Sequence, residues 1–123
     1  MTSEEERHLI EACARAMGYE VTGYDAVLGA QIVAGSEDSP CTDYFNPLHD
    51  SGNCAEMEDA LDVRVERFLS VYAYRFWDRR QFSSKEIYPD NPTIEQKSAA
   101  RRLAVCRCVA ASVEKEKCAC PKK

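Results

Sequence analysis

Seven cysteines are the chain's most obvious source of chemistry, because thiolates are both metal ligands and nucleophiles. Zinc sites usually place about two to four residues between paired cysteines, whereas a single residue separates Cys106 from Cys108. Side chains two positions apart on a helix point to nearly opposite sides. The sequence therefore predicts no metal and no other cofactor, but it leaves open a zinc site that gathers His49 and distant cysteines. Those cysteines are Cys41, Cys54, Cys118 and Cys120.

A cysteine nucleophile needs a base, and the chain has two histidines to supply one. His8 lies in the first turns of a predicted helix, on its solvated side. His49 comes shortly before Cys54, but no obvious third residue would orient its imidazole. We therefore expect a protein that is not an enzyme, and we keep a cysteine-dependent or metal-dependent enzyme as the weakest alternative.

The stretch FNPLHDSGNCAEMEDAL, residues 45–61, carries oxygen ligands that would suit calcium, among them Asp50 and Glu56. The full calcium-loop pattern of alternating ligands, a central glycine and a distant glutamate is absent. Gly52 has no neighbouring glycines or lysine of a phosphate-binding loop. The favoured interpretation is a turn followed by a helix, with Asn53 as the cap and Glu56 at capping-box spacing.

Composition and charge narrow the class of protein. The chain has 123 residues, of which 45% are hydrophobic, as in an ordinary soluble domain. No apolar run approaches the ~18 residues of a membrane helix, and the N-terminus MTSEEERHLI lacks the order of a secretory signal. We expect a cytoplasmic protein with no membrane partner. Because the net charge is −5, direct DNA binding is not expected.

Three segments have the spacing of helices. The first covers Ser3 to Met17, with an apolar residue at every third or fourth position and a capping box near Thr2. The second starts at Asn53. The third has Asn91 as its predicted cap and ends near Lys115; an alternative capping pair is Thr93 with Gln96.

Segments rich in β-branched and aromatic residues predict the strands. Residues 19–34 read as one or two strands, with Gly23 or Gly29 at a turn or bulge, and residues 35–43 read as a loop. Residues 62–77 read as one bent strand or as two strands that are separated near Arg67.

The strand VYAYRFW carries aromatic rings on both sides, and we expect one set of these aromatics to be core. A short edge strand is predicted near residues 82–88. The order of elements predicts an α+β fold, an α/β sandwich in which a small, mainly antiparallel sheet packs with two or three helices. We expect a single domain over residues 1–117 and a flexible C-terminal tail over residues 118–123.

Two phrases of the sequence resemble a known family. FNPLHDSGNCAEMEDAL at residues 45–61 and KSAARRLAVCRCVAASV at residues 97–113 are similar to phrases of short phage and prophage proteins of the phage ABA-sandwich type. MGYE at residues 17–20 also fits. Phe45 stands where that family usually has tryptophan, and Ser51 replaces an acidic residue. The resemblance implies a phage accessory protein with a layered α/β fold, and it carries no catalytic residues.

Without a catalytic constellation, a small acidic phage protein is expected to act by binding. The first hypothesis is a counter-defence inhibitor, similar in action to anti-CRISPR proteins, whose acidic surface occludes a host protein that binds nucleic acid. A homodimer is an oligomeric state that the sequence leaves open. The predicted acidic surface consists of Glu4, Glu5, Glu56, Glu58 and Asp59.

The alternative hypothesis is a sponge that sequesters a nucleotide immune signal. Arginine binds phosphate oxygens in a bidentate manner, and aromatic rings stack on bases. Tyr72 and Tyr74 are further candidates for stacking. The predicted ligand surface consists of Arg75, Trp77, Arg101 and Arg102.

Overall fold

The computed structural model of the protein describes residues 1–35 and 38–119. This part of the chain contains three helices and six strands, with three strands between each helix and the next. In chain order they are α1 (Ser3–Ala16), β1 (Val21–Asp25), β2 (Gly29–Gly35), β3 (Pro40–Phe45), α2 (Ser51–Leu61), β4 (Arg64–Arg67), β5 (Ser70–Trp77), β6 (Arg80–Ile87) and α3 (Ile94–Ala119).

Helix α1 confirms the predicted helix and its capping box. Thr2 Oγ1 accepts the backbone N–H of Glu5 at 3.1 Å, and the Glu5 carboxylate accepts the N–H of Thr2 at 2.7 Å. At the other end, Gly18 has a φ of 84°, and its N–H donates to the carbonyl of Arg15 at 2.9 Å. This glycine stops the helix one residue before the predicted end at Met17.

The first sheet contains β1, β2 and β3 in that order, and both pairs are antiparallel. Gly29 begins β2 with a φ of 100°, and a Cβ at this position would lie 2.6 Å from the carbonyl oxygen of Phe45. Only glycine fits there. The register of β1 shifts between Val21 and Gly23. The two glycines therefore mark a turn and a bulge, as the sequence predicted.

Strand β3 occupies part of the segment that the sequence assigned to a loop, residues 35–43. The prediction is wrong for residues 40–43, because β3 pairs with β2 along its whole length. Every side chain of β3 before Phe45 is exposed. An exposed edge strand has no buried face, so its sequence shows no apolar alternation that would distinguish it from a loop.

The second sheet contains β4, β5 and β6, again in an antiparallel arrangement. The chain turns at Phe68 and Leu69, which confirms two strands with a break near Arg67. Strand β6 confirms the strand predicted near residues 82–88 and begins two residues earlier, at Arg80.

The core-facing side of β5 is not aromatic, and the expectation of an aromatic core set is wrong. Val71 and Ala73 are fully buried, whereas Tyr72 and Tyr74 are only partly buried. The buried side packs against α3. Small side chains allow a helix to approach a sheet closely, so the larger rings are left on the outer face.

Asp50, and not the predicted Asn53, caps α2. Asp50 Oδ1 accepts the N–H of Asn53 at 2.9 Å, and the helix begins at Ser51. The Asn53 side chain accepts the N–H of Asn46 at 2.9 Å and so ties the preceding turn to the helix. Asp and Asn offer the same capping oxygen, and spacing alone did not show which of them precedes the first turn.

The start of α3 follows the alternative prediction. Thr93 Oγ1 accepts the N–H of Gln96 at 3.0 Å, and the Gln96 side chain accepts the N–H of Thr93 at 2.9 Å. Asn91, the predicted cap, lies before the helix with a φ of 48°.

Helix α3 continues to Ala119, beyond the predicted end at Lys115 and into the predicted tail of residues 118–123. The rest of that tail, residues 120–123, lies outside the described residues.

Helix α1 packs on the first sheet, α3 packs on the second sheet, and the two helices pack against each other. One cluster of buried side chains extends through all of these elements, with Ile10, Phe45 and Met57 among its largest members. The α+β class and the antiparallel pairing are confirmed, but the strands form two sheets of three where one sheet was expected. Over the described ranges, no helix is both long enough and apolar enough to cross a membrane.

Candidate binding sites

The predicted acidic surface is divided by the structure into free and engaged carboxylates. Glu4, Glu56 and Asp59 are exposed on α1 and α2. Glu5 closes the capping box of α1, and its hydrogen bonds from Thr2 lower the pKa of the carboxyl group. Glu5 is thus a structural residue as well as a surface charge.

Glu58 is the most strongly engaged of the predicted acidic residues. Its carboxylate accepts two hydrogen bonds from Arg101, at 2.6 Å and 3.1 Å, and its side chain is largely buried. These bonds raise the pKa of Arg101. The bidentate pair joins α2 to α3, so the charges of both residues, which the sequence predicted to face a partner or a phosphate, are already paired within the fold.

Arg102 is a buried arginine in which each of the three guanidinium nitrogens has a partner. Its Nε donates to the carbonyl of Leu48 at 2.9 Å, and Nη1 donates to Ser98 at 2.7 Å and Ser51 at 3.0 Å. Nη2 contacts the carboxylate of Glu95 at 3.5 Å. Arg102 therefore fixes the turn before α2 to α3, which is a structural role that the sequence did not predict.

A cleft of about 380 Å³ lies between α2 and α3 beside these two arginines. Arg67 and Lys97 line it, and no carboxylate among the described residues forms a salt bridge with either of them. Together with Arg101 and Arg102 they outnumber the one acidic residue of the lining, Glu58. The cleft is therefore electropositive, although the chain as a whole is acidic.

Arg75 and Trp77 lie together in a different place. The guanidinium of Arg75 stacks over the Trp77 ring, 5.1 Å from its centroid. Both residues line a cavity of about 240 Å³, and Arg101 and Arg102 are not among its lining residues. The predicted ligand surface is thus divided between two cavities and does not form one pocket.

The two tyrosines considered for stacking are also separated from Arg75. Tyr72 and Tyr74 contact each other, with ring centroids 5.6 Å apart, on the outer face of β5. Alternation along the strand places Arg75 on the other face. One strand therefore does not present an arginine and these rings to the same ligand.

Sequence reasoning missed an apolar surface at one end of the second sheet. It consists of Phe68, Leu69 and Ile87, and we call it the apolar tip. Phe68 and Leu69 form the turn between β4 and β5, and they are 88% and 76% exposed. Ile87, at the end of β6, is 76% exposed and lines one cavity with both of them. Ile94, 88% exposed at the start of α3, lines the neighbouring basic cleft. The sequence did carry a signal for this surface, because Phe68 and Leu69 occupy a tight turn, where polar residues are usual.

The cysteines behave as small apolar residues in the part of the chain that the structure describes. Cys54, Cys106 and Cys108 are buried, and burial is the main cause that raises the pKa of each thiol, to about 11 for Cys108. Cys41 is exposed. No three potential ligands among the described residues converge on a metal position. The Cys118 and Cys120 side chains lie outside the described set.

The two histidines pair with carboxylates and not with thiols. His8 contacts Glu114, and His49 Nε2 lies 3.2 Å from Glu6. Among the described residues, neither histidine has a cysteine as a hydrogen-bond partner. The cysteine–histidine pair that the sequence left open between His49 and Cys54 is not formed in this structure.

Comparison of the chain with models of protein families, with curated proteins and with solved structures finds no match.

Proposed function

We propose that the protein is a phage accessory protein that acts without catalysis, by binding and inhibiting a host factor in the cytoplasm of the infected cell. A counter-defence role of the anti-CRISPR kind is the specific form that we favour. The phage assignment is supported by the resemblance of residues 45–61 and 97–113, and the binding role by the apolar tip.

The apolar tip is the observation that carries the proposal. Single exposed apolar residues are common on proteins, but a contiguous group of large ones usually marks an interaction surface. Phe68, Leu69 and Ile87 border one cavity of about 490 Å³, so they form a group and are not scattered. Aromatic residues are enriched among the residues that dominate binding energy, and Phe68 would be the anchor.

The surroundings of the tip indicate the chemistry of its partner. Lys97 lines both the cavity of the tip and the basic cleft, and Arg67 directly precedes Phe68. One acidic residue, the exposed Asp90, also lines the cavity of the tip. An apolar contact next to cations fits a host protein that presents an apolar segment flanked by acidic side chains. Of the five residues of the predicted acidic surface, Glu5 and Glu58 are engaged within the fold. An acidic surface that occludes a nucleic-acid-binding protein would therefore have fewer free charges than the sequence predicted.

The nucleotide-sponge alternative relied on arginines that the structure places in structural roles. Arg101 is bound to Glu58, and every guanidinium nitrogen of Arg102 contacts an acceptor within the fold. Arg75 is buried and makes one side-chain hydrogen bond among the described residues, and it is considered below.

A pull-down with a matched pair of variants tests the proposal. Phe68→Ser with Leu69→Ser removes the apolar anchor from the turn between β4 and β5. The control is Val27→Ser with Leu28→Ser, in the turn between β1 and β2, where the side chains are also exposed, at 79% and 50%. The hydrogen bonds that hold this turn use the backbone atoms of Val27 and Leu28, so the control keeps its turn.

Native mass spectrometry would measure the host protein recovered with each variant from lysate. We expect the tip variant to lose most of the recovery, by about tenfold or more, because a buried aromatic anchor is worth at least ~2 kcal/mol. The control should match the wild type. Equal recovery by the wild type and the tip variant would show that the apolar tip does not bind the host factor.

A further inference from the structure

Arg75 is a buried cation whose hydrogen-bonding capacity is mostly unused. The residue is only 5% exposed, and its Nη1 donates to Ser112 Oγ at 3.2 Å. Its Nε is buried without a partner, and no other hydrogen bond of the side chain is found among the described residues. Buried polar groups are nearly always satisfied, so an unsatisfied one requires a physical reason.

The fold supplies no anion to balance the charge. No carboxylate forms a salt bridge with Arg75 within the described part of the chain. The nearby Cys108 thiol has a pKa of about 11 and is therefore neutral at physiological pH. Burial lowers the pKa of Arg75, but arginine starts so high that it stays protonated.

The ends of two helices offer only partial compensation. Ala16 in the last turn of α1 and Leu61 at the end of α2 line the same cavity as Arg75. A helix C-terminus carries a fractional negative charge that favours a nearby cation. That effect is small compared with the cost of burying a full charge, and it supplies no acceptor for Nε.

The geometry of the guanidinium defines what would satisfy it. Nε–H and one Nη2–H point in the same direction and form the side edge of the group, which binds two oxygens at once. Ser112 occupies Nη1, on the other side, and leaves this edge unused. Arg15 lines the same cavity and brings a second cation to its rim, with its Nη2 3.7 Å from the Glu11 carboxylate.

We propose that this cavity, bounded by Arg75, Arg15 and Trp77, is a binding site for a small oxyanion. Two oxygens of a phosphate or carboxylate group would accept hydrogen bonds from Nε and Nη2 of Arg75. The cavity volume of about 240 Å³ accommodates such a group. Phosphate monoesters and carboxylates share this oxygen pair, and the proposal holds without any partner at the apolar tip.

Trp77 makes the site directly measurable, because it is the only tryptophan of the chain. Its indole ring lies under the Arg75 guanidinium, so an anion that draws on that group changes the environment of the ring. The wild-type protein would be titrated with inorganic phosphate, with acetate and with chloride at constant ionic strength. We expect a saturable change in fluorescence with phosphate or acetate and none with chloride.

The variants separate this site from general attraction to a basic surface. Arg75→Met should weaken the response by about tenfold or more, because it removes both donors of the edge. Arg107→Met, which removes an exposed arginine from another face of α3, should bind like the wild type. A response to phosphate alone would identify phosphate monoesters as the ligand class, and a response to acetate alone would identify carboxylates.

A second measurement needs no variant and covers the case in which Arg75→Met does not fold. The Nε–H resonance of Arg75, assigned by NMR spectroscopy in the wild type, should shift in parallel with the fluorescence change. An unmoved Nε–H resonance, the absence of any saturable response, or an Arg75→Met variant that folds and responds like the wild type would each overturn the proposal.

Discussion

Arg102 on α3 and Arg75 on β5 are both buried, at 8% and 5% exposure, but their surroundings differ. Arg102 lies where a turn, α2 and α3 meet, and its three nitrogens find partners in all of them. Arg75 lies under the far end of α3, and within the described residues only the Ser112 hydroxyl accepts a hydrogen bond from its side chain. The two sites have the same residue type and nearly the same burial, so the difference lies in the acceptors that the fold provides.

That difference separates a structural role from a candidate functional one. A buried charge with good hydrogen bonds holds its neighbours in place, and removing it leaves them unsatisfied. A buried charge without partners contributes no such stability to the chain itself. A fold that retains one has an arginine available for something outside the chain, which is why we place the oxyanion site at Arg75 and not at Arg102.

The largest expected effect is at Arg102. Arg102→Met keeps the length and apolar stem of the side chain but leaves the buried carbonyl of Leu48 and two serine hydroxyls without their donor. We expect the free energy of unfolding to fall by about 3 kcal/mol, and the melting temperature to fall by about 10 °C. Urea denaturation followed by circular dichroism would measure the loss.

Arg107→Met is the matched control for this prediction, because it makes the same substitution on the same helix. Arg107 pairs with Glu86 at 2.6 Å, but its own side chain is nearly half exposed. The expected loss is below about 1 kcal/mol, since water replaces the lost partner. Equal losses at the two positions would show that the contacts of Arg102 add nothing beyond an ordinary ion pair.

What the sequence could predict depended on whether the signal lay within one element or between distant elements. Helix α1, the break near Arg67 and the capping pair of Thr93 with Gln96 depend on local signals, namely periodicity, turns and caps, and these predictions were confirmed. Two of the predictions that failed, the loop over residues 40–43 and the aromatic core of β5, depended on what each strand faces. The predicted caps at Asn53 and Asn91 failed because nearby residues provide the caps instead.

The roles of the arginines also depended on distant partners. The adjacency of Arg101 and Arg102 in the sequence shows only that their side chains point in different directions on a helix. Two contacts could be inferred only from the position of α2 on α3. They are the contact of Arg101 with Glu58 and that of Arg102 with the Leu48 carbonyl. The sequence did place Arg75 and Trp77 on one face of a strand, and the structure brings them into contact. The missing partner of Arg75 could be recognised only after all neighbouring acceptors were placed.

An intermediate effect is expected at the ion pair of Glu58 with Arg101. Glu58→Gln keeps the shape of the side chain and removes its charge, and the Arg101 guanidinium is about one-third exposed and can be hydrated. We expect a loss of about 1 kcal/mol at low salt that becomes smaller at high salt. Urea denaturation at two salt concentrations measures both values, and the Arg101→Gln variant completes a double-mutant cycle. A coupling energy of zero would mean that the bidentate contact does not stabilise the packing of α2 on α3.

The smallest change in stability is expected at Arg75, and its sign is opposite to that of the losses at Arg102 and Glu58. Arg75→Met loses one hydrogen bond to Ser112 and the stacking on Trp77, each worth about 1 kcal/mol. It also relieves the burial of an unpaired charge, which costs several kcal/mol in a protein interior. In buffer without phosphate or carboxylate ions, the variant should therefore be as stable as the wild type or more stable by up to about 1 kcal/mol.

Adding inorganic phosphate should reverse that order, because a ligand that binds only the folded state stabilises it by RT ln(1 + L/Kd), which rises with the free ligand concentration L. The wild type should gain stability with phosphate concentration, and the Arg75→Met variant should gain none beyond the effect of an equal concentration of chloride. If Arg75→Met instead lost as much stability as Arg102→Met, Arg75 would have structural acceptors after all. The two buried arginines would then be equivalent, and the argument for an external anion would have no basis.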